Sequence, residues 1–231
     1  MNWPSLTVLL VTYDRPKEIR KTIDALKDRI DYPGKLRWHI ADDSSPGNYL
    51  PALFVDYPEL RFTATATNRK GWGANVNKAL GYIKTDYVFL CEDDYVAQRP
   101  LNLRDGVSIL GAVPELGLIR YDGLAGHIGL RLWLKEAKAN GKTINYLQLD
   151  RKHSGHLNVY SNRPHLRHRR LLYAVGPYAE GHRLGMTEEA YALRIIDTDP
   201  GCELAILADG IPRAFLHIGK SRQGTELDRP Q

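Results

Sequence analysis

Tyr87-Val88-Phe89-Leu90-Cys91-Glu92-Asp93-Asp94 is a run of apolar, β-prone residues that ends in three consecutive acids. Apolar runs of this length, rich in Val and aromatics, read as buried strands. Three carboxylates at the mouth of a buried strand repel one another and lose hydration, a cost that a divalent cation commonly offsets. A solvated acidic turn fits the same eight residues. The neighbouring segments show what kind of sheet the strand belongs to.

Upstream, residues 6–11 form another apolar run, which ends in Thr12-Tyr13-Asp14-Arg15-Pro16. Pro16 suits the first turn of a helix, where a missing N–H costs little. Ile19, Ile23, Leu26 and Ile30 follow at helical spacing until Pro33-Gly34 breaks the pattern. A strand over 36–41 runs into Asp42-Asp43-Ser44-Ser45, and a short helix is expected around 49–55. A third strand near 60–65 leads to Asn68-Arg69-Lys70-Gly71-Trp72-Gly73-Ala74-Asn75, a Gly-rich turn opening a helix with Val76, Leu80 and Ile83 on one face. The first ~95 residues thus alternate strand and helix four times, which argues a parallel, right-handed α/β sheet. Such sheets bind ligands at the carboxyl ends of their strands. The notable chemistry lies there: Thr12 to Arg15, Asp42 to Ser45 and Glu92 to Asp94, with the Gly71 turn on the same rim.

Beyond residue 98 the pattern is less regular. Helices are expected over 101–110 and 130–139, strands over 116–121, 143–149 and 157–161, the last two as a hairpin. Met186-Thr187-Glu188-Glu189 reads as a helix start with Thr187 as N-cap, running to about Asp197. Short strands at 204–207 and 214–218 precede a polar tail from Lys220. The organisation expected is one domain of two sub-regions, 1–98 and 99–219, with 220–231 as a polar tail.

The 231 residues suffice for a sizeable core, and 43% hydrophobic with 26% charged residues is an ordinary soluble composition. No apolar run reaches the ~18–20 residues a membrane-spanning helix needs. Cys91 and Cys202 form no metal or redox spacing, so free thiols and a reducing, cytoplasmic compartment are expected. The net charge of +5 is local: residues 151–170 hold six Lys or Arg, four of the eight histidines and no acid.

The order of these motifs resembles the inverting family-2 glycosyltransferases of GT-A fold: strand then Val11 to Pro16, strand then Ala41-Asp42-Asp43-Ser44-Ser45, the Gly71 turn, then strand and Glu92-Asp93-Asp94 in place of the family's Asp-x-Asp. Downstream, Thr187-Glu188-Glu189 resembles its Glu-Asp pair, and His217-Ile218-Gly219-Lys220-Ser221 its metal-histidine motif. The resemblance implies a nucleotide diphosphate sugar, UDP-linked first, and a Mn²⁺ or Mg²⁺ ion. It implies Asp94 and His217 as metal ligands, Mn²⁺ being favoured because imidazole is uncommon on Mg²⁺. Thr12, Tyr13, Arg15, Asp43, Asn68, Lys70, Gly71 and Asp93 would hold the nucleotide-sugar. Glu189 would be the general base, with Glu188 as the fallback. Glu92 and Glu189 depart from the family's Asp by one methylene each.

The basic segment suggests a polyanionic acceptor met by Arg163, Arg167, Arg169 and Arg170: nucleic acid bearing a hydroxylated base, or an anionic glycan. A solvated face, or a lipid-linked sugar at an anionic membrane surface, accounts for the same charge. A nucleotidyltransferase would need a glycine-rich phosphate loop after the first strand, and Thr12 to Pro16 has no glycine. A non-catalytic sugar-nucleotide or nucleic-acid binding module is the alternative of another class.

Overall fold

The computed structural model describes residues 2–121, 129–155, 159–198, 202–207 and 214–219. In chain order the elements are β1 (Leu6–Thr12), α1 (Pro16–Arg29), β2 (Ile30–Asp31), β3 (Leu36–Asp42), α2 (Tyr49–Asp56), β4 (Thr63–Ala66), α3 (Trp72–Tyr82), β5 (Tyr87–Glu92), β6 (Tyr95–Ala97), β7 (Leu101–Asn102) and α4 (Leu103–Ala112). Then come β8 (Leu116–Arg120), β9 (Leu132–Ala139), β10 (Lys142–Leu149), β11 (His165–His168), α5 (Arg170–Val175), α6 (Leu184–Asp197), β12 (Glu203–Leu207) and β13 (Phe215–His217).

Nine strands form one sheet in the order β4-β3-β1-β5-β11-β8-β12-β10-β9. β1 pairs in parallel with β3 and β5, β3 with β4, and β8 with β12. β11 runs antiparallel to both β5 and β8, and β10 antiparallel to β12 and β9, so the other seven strands share one direction. This mixed α/β sheet with helices on both faces is the GT-A architecture expected.

The apolar runs alternate across the sheet because successive strand side chains point to opposite faces. Leu6, Val8, Leu10, Phe89 and Cys91 pack with Ile19, Ile23 and Leu26 of α1 and Val107 and Leu110 of α4. Leu9, Val11, Val88 and Leu90 pack on the other side with Val76 and Leu80 of α3 and Tyr191 and Ile195 of α6. Both cysteines are free and buried. No helix among the described residues is long and apolar enough to cross a membrane.

Three local expectations are overturned. Residues 130–139 are rich in helix formers, yet Leu132–Ala139 is the strand β9. Asn140 and Gly141, both at positive φ (54° and 75°), close a two-residue turn onto β10, and the unbroken ladder outweighs propensity. The hairpin partner of β10 is therefore β9. Residues 157 and 158 of the expected 157–161 strand lie outside the described residues, and Tyr160 and Ser161 are not in a strand. The last helix starts one turn early, at Leu184, with Arg183 as N-cap, so Thr187 is buried inside it rather than capping it.

Candidate active site

The carboxyl ends of β1, β3 and β5 meet at one rim. The Asp43 amide donates to the Thr12 carbonyl (3.1 Å), and the Asp93 amide to the Val11 carbonyl (3.0 Å), continuing the ladder past the strand ends. The ends of β1 and β3 then turn sharply: Asp14 and Ser44 both sit at positive φ (48° and 62°), and the Asp14 amide donates to Ser45 Oγ (2.8 Å). Residues with side chains are uncommon in this conformation away from functional loops.

The three consecutive acids have three different environments. Asp93 is a staple. Its Oδ2 accepts from Thr12 Oγ1 (2.7 Å) and the Tyr13 amide (3.3 Å), and its Oδ1 from Arg15 (3.4 Å). Its carbonyl accepts from Thr22 Oγ1 on α1 (2.8 Å). At 5% exposure, Asp93 holds the rim together.

Asp94 is equally buried, at 4%. Its Oδ2 meets His217 Nε2 at 3.1 Å and is also in contact with the Arg15 guanidinium, while its Oδ1 is buried with no hydrogen-bond partner. His217 arrives because β13 pairs antiparallel with β6, setting His217 opposite Tyr95, and the Ile218 amide donates to the Asp94 carbonyl (2.8 Å). The imidazole stacks on the Tyr95 ring, with centroids 4.8 Å apart. Partial desolvation, with the Arg15 and Arg163 cations adding to it, lowers the His217 pKa and favours the neutral ring.

Among the described residues no group of three or more His, Cys, Asp or Glu side chains is set to hold a metal on protein donors alone. The orphaned Asp94 oxygen and the imidazole beside it nevertheless fit a divalent ion that takes its other ligands from a nucleotide.

Glu92 faces the second half of the chain. Burial, with the Glu188 and Asp93 carboxylates adding to it, pushes its carboxyl up to about 8. Glu188 accepts from the Asn162 amide (2.7 Å). On α6 the buried positions are Thr187, Tyr191, Ala192 and Ile195. Glu188 borders that face and is half-buried, whereas Glu189 lies a further 100° round the helix and is exposed.

The Gly71 turn is built by Asp43, whose Oδ1 accepts from Thr67 Oγ1 (2.5 Å) and whose Oδ2 accepts from the Gly71 amide (2.9 Å). Asn68, Arg69 and Gly71 have φ of 54°, 57° and 84°. The Asn68 amide donates to Ser44 Oγ (3.0 Å), Lys70 is exposed, and the Arg69 guanidinium lies over the Tyr13 ring at 5.5 Å. Tyr13 and Arg15 are half-buried on the same rim, while Thr12 is buried against Tyr49 and Asp93.

The basic segment is not a surface patch. Arg167, 1% exposed, lies on β11 in the middle of the sheet and donates to the hydroxyls of Tyr178 (2.8 Å) and Tyr191 (3.3 Å). Arg169 donates to the Ile83 carbonyl, and Arg170 to those of Leu116 and Leu110. Because β11 runs antiparallel to β5, His168 sits opposite Tyr87, so Arg169 and Arg170 are at the edge away from the rim. Only Arg163 of the four is exposed, on the site side near His217. The expectation of an arginine cluster facing an acceptor is corrected accordingly.

Thr22, Thr67 and Asn162 were not anticipated. Thr22 had a visible signal, a polar residue on the apolar face of α1; Asn162 had none, since its place depends on α6.

A sheet of this topology, with an acidic strand end and a helix-opening glycine turn on one rim, is the architecture of the GT-A fold. Residues 7–108 match the family model described as Glycosyl transferase family 2. Over 98 residues, 42% of the chain, the sequence is 28% identical to the cellulose synthase catalytic subunit [UDP-forming] of Xanthomonas axonopodis pv. citri (strain 306). It is 29% identical to cellulose synthase 1 of Komagataeibacter xylinus over the same length. The match spans only 13% and 6% of those relatives. S. aureus TarS 1-349 in complex with UDP-GlcNAc superposes on 96% of this chain and 60% of its own, with a TM-score of 0.66 at 15% identity. The mannosyltransferase PcManGT from Pyrobaculum calidifontis, in complex with GDP-Man and Mn2+, covers 89% of this chain and 57% of its own, with a TM-score of 0.57 at 18% identity.

Proposed function

We propose that the protein is a metal-dependent, inverting glycosyltransferase that moves a sugar from a nucleotide diphosphate sugar, UDP-linked first, to an acceptor hydroxyl. The observation that carries this reading is the rim itself. Asp94 meets His217, 123 residues downstream, and the adjacent Glu92 faces Glu188 from the opposite half of the sequence. The family match and the UDP-GlcNAc and GDP-Man named for the superposed transferases support it. Residues 1–98 then form the donor half and 99–219 the acceptor and catalytic half.

Asp94 and His217 would hold Mn²⁺ or Mg²⁺. That ion, when bound, supplies Lewis-acid neutralisation of the leaving diphosphate. Asp93 and Asp43 keep the rim and the Gly71 turn in shape. The α3 N-terminus and Lys70 meet the phosphates, as helix starts do. Tyr13 faces the nucleoside, and Thr12 braces the strand end beneath it through Tyr49 and Asp93. Glu188 takes the proton from the acceptor hydroxyl, which attacks in line and inverts the anomeric centre. Glu189 was the first expectation for this role; the outward turn of its side chain transfers the assignment to Glu188. A carbohydrate hydroxyl is the acceptor we propose; three of the four arginines invoked for a nucleic-acid acceptor, Arg167, Arg169 and Arg170, are bonded within the fold, which counts against that alternative.

Glu188→Gln is expected to lower transfer by about 10³-fold while Glu189→Gln stays within a few fold, the range general-base removal spans. Binding of a UDP-sugar with Mn²⁺, read as a rise in melting temperature, survives both changes. Full transfer by Glu188→Gln removes the base assignment. A wild-type protein whose melting temperature no UDP- or GDP-sugar raises, with either metal, removes the reading itself.

A further inference from the structure

Arg15 is the residue on this rim whose position its sequence does not explain. Asp14 is held in the left-handed region, and that turn sets Arg15 as the N-cap of α1 with no capping hydrogen bond from its side chain. The guanidinium instead reaches across to β5, where one nitrogen contacts both Asp93 Oδ1 (3.4 Å) and Asp94 Oδ2. The second contact is the oxygen that meets His217 Nε2. Gly219 closes over the pair: a Cβ there would fall 2.0 Å from Asp94 Oδ2 and 2.6 Å from the Arg15 nitrogen. The cradle at Asp94 is thus filled by a protein cation.

Two buried carboxylates with one guanidinium leave a charge of about −1. A divalent cation added at the free Asp94 oxygen without moving Arg15 would place two cations on a single carboxylate, a repulsion that burial strengthens. The guanidinium is freed when it leaves Asp94, and it is then a fork of donors at the rim where the diphosphate is proposed to lie. Bidentate guanidinium–phosphate contacts are among the strongest charge-assisted bonds.

Resting on the reading of Asp94 and His217 given above, we infer that Arg15 is a resident counter-cation for the metal site, one that pairs with Asp94 and moves to the donor diphosphate when a divalent ion binds. Metal and nucleotide are then coupled through one side chain, which by linkage acts equally in both directions.

The test uses binding rather than turnover. Mn²⁺ alone is titrated by electron paramagnetic resonance of the free ion, and UDP alone, without metal, by calorimetry, on the full chain. Arg15→Gln is expected to bind Mn²⁺ about tenfold tighter and metal-free UDP about tenfold weaker, the size of one charge-assisted contact. Arg15→Lys, which keeps the charge without the fork, is expected between these values, and its melting temperature reports whether the rim still folds. An Arg15→Gln protein that binds Mn²⁺ no tighter than wild type, while wild type binds both Mn²⁺ and UDP, overturns the inference and leaves the proposed function standing. Wild-type protein that binds neither overturns both.

Discussion

His39 carries a pH dependence that belongs to the fold rather than to the chemistry. It sits on β3 at 1% exposure, its ring nitrogens bonded to Thr63 Oγ1 (2.8 Å) and Thr65 Oγ1 (3.1 Å), and it stacks on Tyr82. Burial lowers its pKa from 6.5 to about 4. The unfolded chain therefore takes up this proton first as pH falls. Stability from His39 is complete above about pH 6.5 and is lost progressively towards pH 4, by about 2 kcal/mol after allowance for residual screening. Urea midpoints measured from pH 7 to pH 4.5 should fall in wild type and stay flatter in His39→Gln; equal slopes in the two proteins would count against this account. Adjacent residues divide labour at the same scale. Asp93 and Asp94 share a motif, yet the first has both oxygens engaged with Thr12, Tyr13 and Arg15, and the second keeps one oxygen without a partner.

Among the elements, α3 shows how a glycine can serve packing rather than a ligand. A Cβ on Gly73 would fall 2.2 Å from the Ala179 carbonyl oxygen, so the α3 N-terminus and the segment before α6 touch only because position 73 has no side chain. The same contact is reinforced from Asn77, whose side chain donates to the Tyr178 carbonyl (3.0 Å) and accepts from the Tyr178 amide (2.8 Å). Gly73→Ala should therefore lower stability by about 1–3 kcal/mol, as overpacking does. It should also reduce transfer beyond what stability explains, because the phosphate-facing end of α3 and the Glu188 helix would separate. Gly81→Ala, on the same helix with open space around it, is the control. A thermal melt that does not distinguish the two variants would sink the packing account. The early start of α6 matters in the same way: the helix carries two successive glutamates, and the buried phase of Thr187, Tyr191 and Ile195 decides that Glu188 turns towards Glu92.

At the scale of the molecule, β5 binds the two halves. β1 flanks it on one side and β11 on the other, while α6 covers Val88 and Leu90 with Tyr191 and Ile195. The family match ends at residue 108, but the fold cannot end there. A fragment of residues 1–112 would expose one edge of β5 and one apolar face of the sheet, a template for aggregation. It should show no cooperative unfolding transition and little near-ultraviolet dichroism; a cooperative melt from that fragment would contradict this.

The donor half was legible because its signals are local. The runs of β1, β3 and β5 are each continuous in sequence, their acids follow directly, and the Gly71 turn follows a strand. Parallel strands then bring the carboxyl ends together by geometry alone. Such patterns are written within ten residues of one another, so composition and period determine them. The acceptor half was less legible because its decisive contacts are non-local. Residues 151–170 look like a basic surface until β11 pairs between β5 and β8, and only that pairing sends Arg167 to the tyrosine hydroxyls and Arg169 and Arg170 to backbone carbonyls. Residues 132–139 favour a helix in isolation and become β9 because β10 offers an unbroken ladder. Glu188 and Glu189 differ by one position in sequence, and no local preference separates them. The chain alone thus settled the strand ends and the identity of their acids, since hydrophobic period and turn chemistry act over short range. Which arginines are buried, which glutamate faces the rim and which cation rests on Asp94 were settled by packing between segments far apart in sequence, where desolvation and pairing outweigh local propensity.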